Sequence, residues 1–374
     1  MKPILSLVVP TKNRYVYLTD LVKMFVSFQL KNTELVIQDN SDDNSAFLSF
    51  ISQFKLYKNI RYYYNNTHLS VCENCDKAIQ SSLGEYVCMI GDDDGFLRTI
   101  ESYVEYMKNN DIDSLIANKP AYKWPELHGL IFDFSGTVRI KKYKKSTSLI
   151  DVKDELKKVL KNGASTLGKL PCVYHGIVKR EILDKIYVRT GSFFPGPSPD
   201  MANAIALGIC SSKHIYYDIP LVISGHGSKS AGGMGAKHQH KNELKNMSFL
   251  PKDTDKLWES KIPKYWTGET IYAESAVKSL KRMGERKLLN YFNYRSMYGR
   301  FIVFHLPEYK LVLKLMNIVD YLFLPHYVFK AFILRMNAFI RNCVLKMGLS
   351  HKMYVIGSLS NIIECEEQLY QSLK

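Results

Sequence analysis

The chain lacks any long hydrophobic run. Its first apolar stretch, Ile4 to Val9, is cut by Pro10 and Lys12, and nowhere do the roughly eighteen uncharged apolar residues of a membrane-spanning helix follow one another. The N-terminal pattern is not that of a signal peptide either, so the expected location is cytoplasmic, free or on the inner face of the membrane. Cysteine is sparse and odd in number, with seven residues at 72, 75, 88, 172, 210, 343 and 365. That argues against a disulfide framework and for a reducing compartment. Cys72 and Cys75 form a lone Cys-x-x-Cys in a helical stretch, without the second pair or the histidines of a zinc set. Acidic charge is in short supply: 51 Lys and Arg oppose 36 Asp and Glu, for a net +15. Much of the excess is C-terminal, where fourteen Lys and Arg between 278 and 352 face only Glu285, Glu308 and Asp320. Internal repeats and low-complexity tracts are missing too, and 46% apolar with 23% charged residues is the composition of a folded protein. At 374 residues there is room for one large catalytic domain and an appendage.

What the sequence does contain is alternation. Ile4 to Val9 and Glu34 to Gln38 read as short buried strands, with apolar residues Tyr17, Leu18, Leu21, Val22, Met24 and Phe25 at helical spacing between them. The same pattern recurs as helix 46–54, strand 60–64, helix 71–82 and strand 86–90. This predicts an α/β fold with a mostly parallel sheet flanked by helices, whose ligand sits at the carboxyl ends of the strands. Pro10-Thr11, Asp39 and the run Gly91-Asp92-Asp93-Asp94-Gly95 all fall at such ends. Three adjacent carboxylates repel one another unless a cation lies among them, and a divalent metal bridging to a phosphate is the commonest remedy. A metal–nucleotide site is therefore expected, against the alternative of a solvated acidic turn.

Taken in order, Val8-Val9-Pro10-Thr11-Lys12-Asn13-Arg14, Val36-Ile37-Gln38-Asp39-Asn40-Ser41 and Gly84-Glu85-Tyr86-Val87 running into Asp92-Asp93-Asp94 resemble the signature of family 2 glycosyltransferases. The resemblance covers roughly residues 1 to 230. It implies a GT-A, Rossmann-like fold, transfer of a sugar from a nucleotide-sugar donor with inversion, a divalent metal (Mn2+ or Mg2+), and a place in bacterial surface polysaccharide synthesis. It further implies that Asp39 contacts the base, that Asp92 contacts the ribose, and that Asp94 or Asp93 holds the metal, the choice between them being open. Pro10, Thr11, Asn13 and Arg14 would line the donor site. For Asp39 the competing role is an Asx-turn or helix cap. Two departures from the family pattern stand out. Gln38 occupies a position where Asp is frequent, and Asn65 to His68 lacks a common glycine.

Asp200 follows the rigid loop Phe194-Pro195-Gly196-Pro197-Ser198-Pro199. By its similarity to acceptor-side segments of polysaccharide-forming members, it is the candidate general base, with helix capping as its ordinary alternative. His226, in Gly225-His226-Gly227-Ser228-Lys229, is a candidate late metal ligand, or else an exposed histidine in an acceptor lid. The segment is not a P-loop, because Ser228 stands where glycine must precede the lysine.

The expected domains are 1–235 for the GT-A unit, 236–275 for a linker or acceptor-side region, and 276–374 for a basic helical region. Between 329 and 347, Phe329, Phe332, Ile333, Met336, Ile340, Val344 and Met347 form an apolar stripe bordered by Lys330, Arg335, Arg341 and Lys346. Such a helix fits an anionic membrane surface, or packing on the catalytic domain with its basic side solvated. The bulky run Tyr321 to Tyr327 favours the membrane, and a glycan or polyprenyl-diphosphate-linked acceptor would account for it. Two other functions fit the sequence less well. A nucleotidyltransferase would want glycine in the loop after its first strand, which 10–14 lacks. Nucleic-acid binding is opposed by the acidic cleft and the absence of a recognition motif.

Overall fold

The computed structural model describes residues 2–129, 132–230, 233, 241–247, 250, 253–350 and 353–373. In chain order it opens with β1 (Leu5–Thr11), α1 (Tyr15–Phe28), β2 (Thr33–Asp39), α2 (Ser45–Ile51), β3 (Ile60–Tyr64), α3 (Val71–Gln80) and β4 (Tyr86–Met89), the expected alternation. Then come β5 (Gly95–Phe96), α4 (Ile100–Asn109), β6 (Ser114–Ala117), β7 (Ala121–Lys123), β8 (Thr137–Lys141), β9 (Thr147–Ile150) and α5 (Val152–Lys161). These are followed by β10 (Gly176–Lys179), α6 (Arg180–Thr190), α7 (Pro199–Cys210), β11 (His214–Tyr217), β12 (Val222–His226), β13 (Asn242–Glu243) and β14 (Tyr265–Trp266). The C-terminal part holds α8 (Gly268–Arg282), α9 (Tyr294–Phe304), α10 (Lys310–Leu313), α11 (Ile318–Lys346), β15 (Met353–Ile356) and α12 (Ile362–Leu373).

The main sheet has eight strands in the order β3-β2-β1-β4-β10-β6-β11-β9. Its first half is parallel, β1 pairing in parallel with β2 and β4, and β2 with β3. β10 enters antiparallel to both β4 and β6, and β9 antiparallel to β11. Side chains alternate across the strands: Leu5, Leu7 and Val9 enter one core with Leu35, Ile37 and Cys88, while Val8, Val36 and Val87 enter the opposite one with Ala78 and Ile79 of α3. A third core joins α5, α7, α8 and α9. A second, five-stranded sheet runs β15-β8-β7-β12-β5.

The last part of the chain does not stay apart as a helical region. Strand β15 pairs antiparallel with β8, and Ile362, Cys365 and Leu369 of α12 are fully buried in the core that contains Phe96 and Leu97. Helix α11 is largely exposed, with Ala331 and Leu345 its buried residues. Its contacts run chiefly to α9, where Gly299 lies so close to Tyr327 that an added Cβ would sit 2.6 Å from the Tyr327 backbone. The sequence stripe faces outward instead of packing on the domain: Phe329 is 65% exposed, Ile340 53% and Met347 60%.

Candidate active site

Register brings the separate acidic loops together. Thr11, the last residue of β1, pairs with Asp39, the last of β2, and its hydroxyl donates to Asp92 Oδ2 at 2.5 Å. Asp39, Asp92, Asp93 and Asp94 are all buried, at 0 to 3% exposure, so the triplet is not a solvated turn.

Asp39 Oδ2 accepts from the hydroxyls of Tyr15 and Tyr62, each at 2.7 Å. Its Oδ1 accepts from the Ser41 N–H at 2.8 Å, which is an Asx-turn. Three of its roughly four lone-pair positions are thus used and one remains. Asn13, at φ 58°, exchanges hydrogen bonds with Asp42 and donates its N–H to Ser41 Oγ, clamping the two loops together. Pro10 is half-buried at the end of β1.

The cation among the carboxylates is supplied by the chain itself. Arg14 Nε lies 3.0 Å from Asp92 Oδ2, and a terminal guanidinium nitrogen lies 4.0 Å from Asp93 Oδ1. Burial opposes the charge on Arg14, but Asp92 and Asp93 outweigh it and hold its pKa above the usual value. The balance is incomplete. Burial raises the Asp92 carboxyl, and burial together with the charges of Asp94 and Asp92 pushes Asp93 up to about 7.

Asp94 has a different environment. Its Oδ1 accepts from the Gly225 N–H at 2.8 Å, and its Oδ2 from the Gly91 N–H at 2.6 Å, the Tyr174 hydroxyl at 3.2 Å and His175 Nε2 at 2.6 Å. Burial alone would raise this carboxyl, yet His175 and the two backbone N–H groups bring it below the ordinary range. His175 is itself lowered, by burial first, and its Nδ1 lies 3.4 Å from Lys119 Nζ. Burial thus disfavours a charged imidazole at His175, while the Asp94 carboxylate opposes that.

Motif reading missed Tyr174, His175 and Trp124. The first two reach the site because β4 extends past its last named residue, with Met89 bridging to Tyr174 and His175 N–H donating to the Met89 carbonyl at 2.9 Å. Trp124 Nε1 donates to the Asp93 carbonyl at 2.9 Å. A lone His or Trp in sequence carries no mark of such a contact.

His226 ends β12 and so is part of a strand, while much of the glycine-rich segment that follows, 231–232 and 234–240, lies outside the described residues. Burial lowers the His226 pKa and the Asp94 charge opposes that; the preceding residue, Gly225, is the one whose N–H reaches Asp94 Oδ1. The next residues close over the motif, the Gly227 N–H donating to Asp93 Oδ2 at 2.9 Å. At Gly225 an added Cβ would fall 1.6 Å from the Asp93 carbonyl oxygen, so only glycine allows this approach.

Asp200 lies in the first turn of α7, with Pro199 before it and Ser198 as the residue preceding the helix. It is not the cap. Its Oδ1 accepts from the Ser198 hydroxyl and from the Met201 N–H, and its Oδ2 from the Tyr272 hydroxyl of α8. Its charge is felt by both Tyr174 and His175, the residues that touch Asp94.

Among the described residues no three His, Cys, Asp or Glu side chains already converge as a metal site. A divalent ion nonetheless fits the donor chemistry. Asp92 Oδ1 is buried without any partner, Asp93 is short of compensating charge, and hard cations take carboxylate oxygens.

Residues 6–154 match the family described as glycosyl transferase family 2. This segment belongs to that family. The likeness extends further in solved structures. Residues 1–349 of S. aureus TarS in complex with UDP-GlcNAc are 13% identical, with a TM-score of 0.54 over 84% of this chain and 79% of that one. The same TarS fragment without ligand gives a TM-score of 0.51 at the same identity and coverage. At that identity the likeness speaks for the fold, which is GT-A. No curated protein matches the chain in sequence. The enzyme is a glycosyltransferase, and Asp39 and Asp92–Asp94 all fall within its family 2 segment.

Proposed function

We propose that this glycosyltransferase moves a sugar, with inversion, from a nucleoside-diphosphate donor to a hydroxyl of a lipid-linked glycan. The observation that carries the reading is the meeting of Asp39 with Asp92, Asp93 and Asp94 at neighbouring strand ends, joined through Thr11, with Arg14 paired to Asp92. Because the TarS structure holds UDP-GlcNAc, a UDP-sugar is the first donor to test. Asp39, braced by two tyrosines, offers its remaining lone pair to the base. Asp92 meets the ribose, with Pro10, Thr11, Asn13 and Arg14 shaping the wall beside it.

Asp93, Asp94 and His226, with the unpartnered Asp92 Oδ1 beside them, would hold Mn2+ or Mg2+, which when bound would neutralise the charge on the departing diphosphate. Asp200 receives the proton of the acceptor hydroxyl as that oxygen attacks the anomeric carbon from the side opposite the nucleotide. Ser198 and Tyr272 keep the carboxylate aimed, and their hydrogen bonds fix it without a rotamer search. The acceptor is a polyprenyl-diphosphate-linked glycan of surface polysaccharide synthesis, met at the inner membrane face. In this reading the catalytic unit comprises 1–235 together with 353–373, and 236–275 lies on the acceptor side.

The test is thermal unfolding of the full chain with UDP-, GDP-, CMP- and dTDP-sugars, with and without manganese, on wild type and Asp94→Ala. One donor class should raise the midpoint in a manganese-dependent way that Asp94→Ala loses. Failure of every nucleotide sugar to stabilise wild type overturns the donor assignment.

A further inference from the structure

We propose that the outward face of α11 is a docking surface for an anionic lipid bilayer. The proposal rests on the reading above only in giving the acceptor a membrane, and the surface is argued from the helix itself. α11 spans 29 residues, about 43 Å at 1.5 Å per residue. Its start is fixed by a reciprocal cap between Asn317 and Asp320, and Arg295 of α9 holds Asp320 at 2.7 Å.

The helix meets the body through one side only. Ala331 and Leu345 are buried there, and Leu324 joins the helical core. The opposite side presents Leu322 at 74% exposure, Phe329 at 65%, Phe332 at 51%, Ile340 at 53% and Met347 at 60%. Apolar residues at helical spacing normally face a core. Here they face away from it, and a continuous apolar patch of this kind marks an interaction surface.

Charge selects the occupant. Along α11 the basic residues are Lys330, Arg335, Arg341 and Lys346, of which Arg335 donates to the Val303 carbonyl and Lys346 to the Asp133 carbonyl of the body; the one acidic residue of the helix, Asp320, is already paired at its far end. A second copy meeting this face would set two basic borders against each other, whereas anionic headgroups complement them and acyl chains take the apolar stripe. Among the described residues no helix is long and apolar enough to cross a membrane, so α11 lies in the headgroup plane.

The test is cosedimentation of the full chain with vesicles of phosphatidylcholine alone or mixed with phosphatidylglycerol, without donor or acceptor, so that its outcome is independent of the glycosyl-transfer reading. Wild type should pellet with the anionic vesicles, much less with neutral ones, and less as salt rises. Leu322→Gln/Phe329→Gln/Ile340→Gln and, separately, Lys330→Glu/Arg341→Glu should each weaken partitioning about tenfold or more, with an unchanged unfolding midpoint and unchanged nucleotide-sugar stabilisation. The charge pair keeps the test decisive should the apolar triple variant fold poorly. Wild type remaining in the supernatant, variants binding as wild type does, or light scattering that reveals a dimer dissolved by the triple variant would each overturn the proposal.

Discussion

His175 Nε2 lies 2.6 Å from Asp94 Oδ2, and the residue that makes this contact sits at φ 65°, in the left-handed region where a non-glycine side chain is uncommon. Strain of about 1 to 3 kcal/mol is retained where the imidazole meets the third aspartate. Asn tolerates this backbone better than Ala. On the proposal that Asp94 is a metal ligand, His175→Ala should lower transfer about 10- to 100-fold, and His175→Asn should recover part of it. Steady-state kinetics with a manganese titration checks this, and unaltered manganese dependence in His175→Ala contradicts it.

Arg14 supplies the nearest positive charge to Asp92 and Asp93. Removing one partner of a buried pair leaves an uncompensated charge and costs about 3 to 5 kcal/mol. Arg14→Ala should therefore unfold at markedly lower denaturant than wild type. Combined with Asp92→Asn, the loss should be smaller than the sum of the two single effects. Strict additivity in this double-mutant cycle would mean that the pair is not coupled.

Tyr272 and Ser198 both donate to Asp200. Asp200→Asn should keep nucleotide-sugar stabilisation and lose transfer. Tyr272→Phe should lower kcat about tenfold or more, since a hydrogen bond to a charged group is worth about 1.5 to 3 kcal/mol, with KM for the donor little changed. Full turnover in Asp200→Asn would remove this residue from the mechanism.

Ile362 is fully buried against Gly95, where an added Cβ would meet it at 2.6 Å, directly after the aspartate motif. Ile362→Ala should destabilise the catalytic unit by about 2 to 5 kcal/mol, read from chemical unfolding followed by tryptophan fluorescence. A loss below about 0.5 kcal/mol would show that the C-terminal helix is dispensable to that core.

His214 gives a pH dependence of definite sign. Its ring lies between the carbonyls of Ser114 and Lys169, each 3.1 Å away, and burial lowers its pKa from 6.5 to about 4. The unfolded chain takes up the proton first as pH falls. The contribution is therefore full above pH 6.5 and is lost on the way down to about 4, amounting to about 3 kcal/mol. Unfolding free energies between pH 7 and 4 should fall in wild type and flatten over that span in His214→Gln.

The sequence by itself determined the parallel half of the sheet and the acidic strand ends. Period-two and helical spacings are local, and a strand that ends in Asp39 or runs into Asp92 announces its own terminus. It also announced the apolar stripe of α11, because spacing alone defines a face. Which way that face points was decided by tertiary packing: Gly299 against Tyr327 fixes the helix by its other side. The same holds for the site. Arg14, Tyr174 and His175 are far from Asp94 in the chain, and only the insertion of β10 antiparallel to β4 brings the last two within hydrogen-bonding distance. The return of α12 into the N-terminal core likewise left no local trace, since the burial of Ile362, Cys365 and Leu369 depends on a surface formed more than 250 residues earlier. Contacts of that range are set by how elements pack, and the residues that make them look ordinary in the chain.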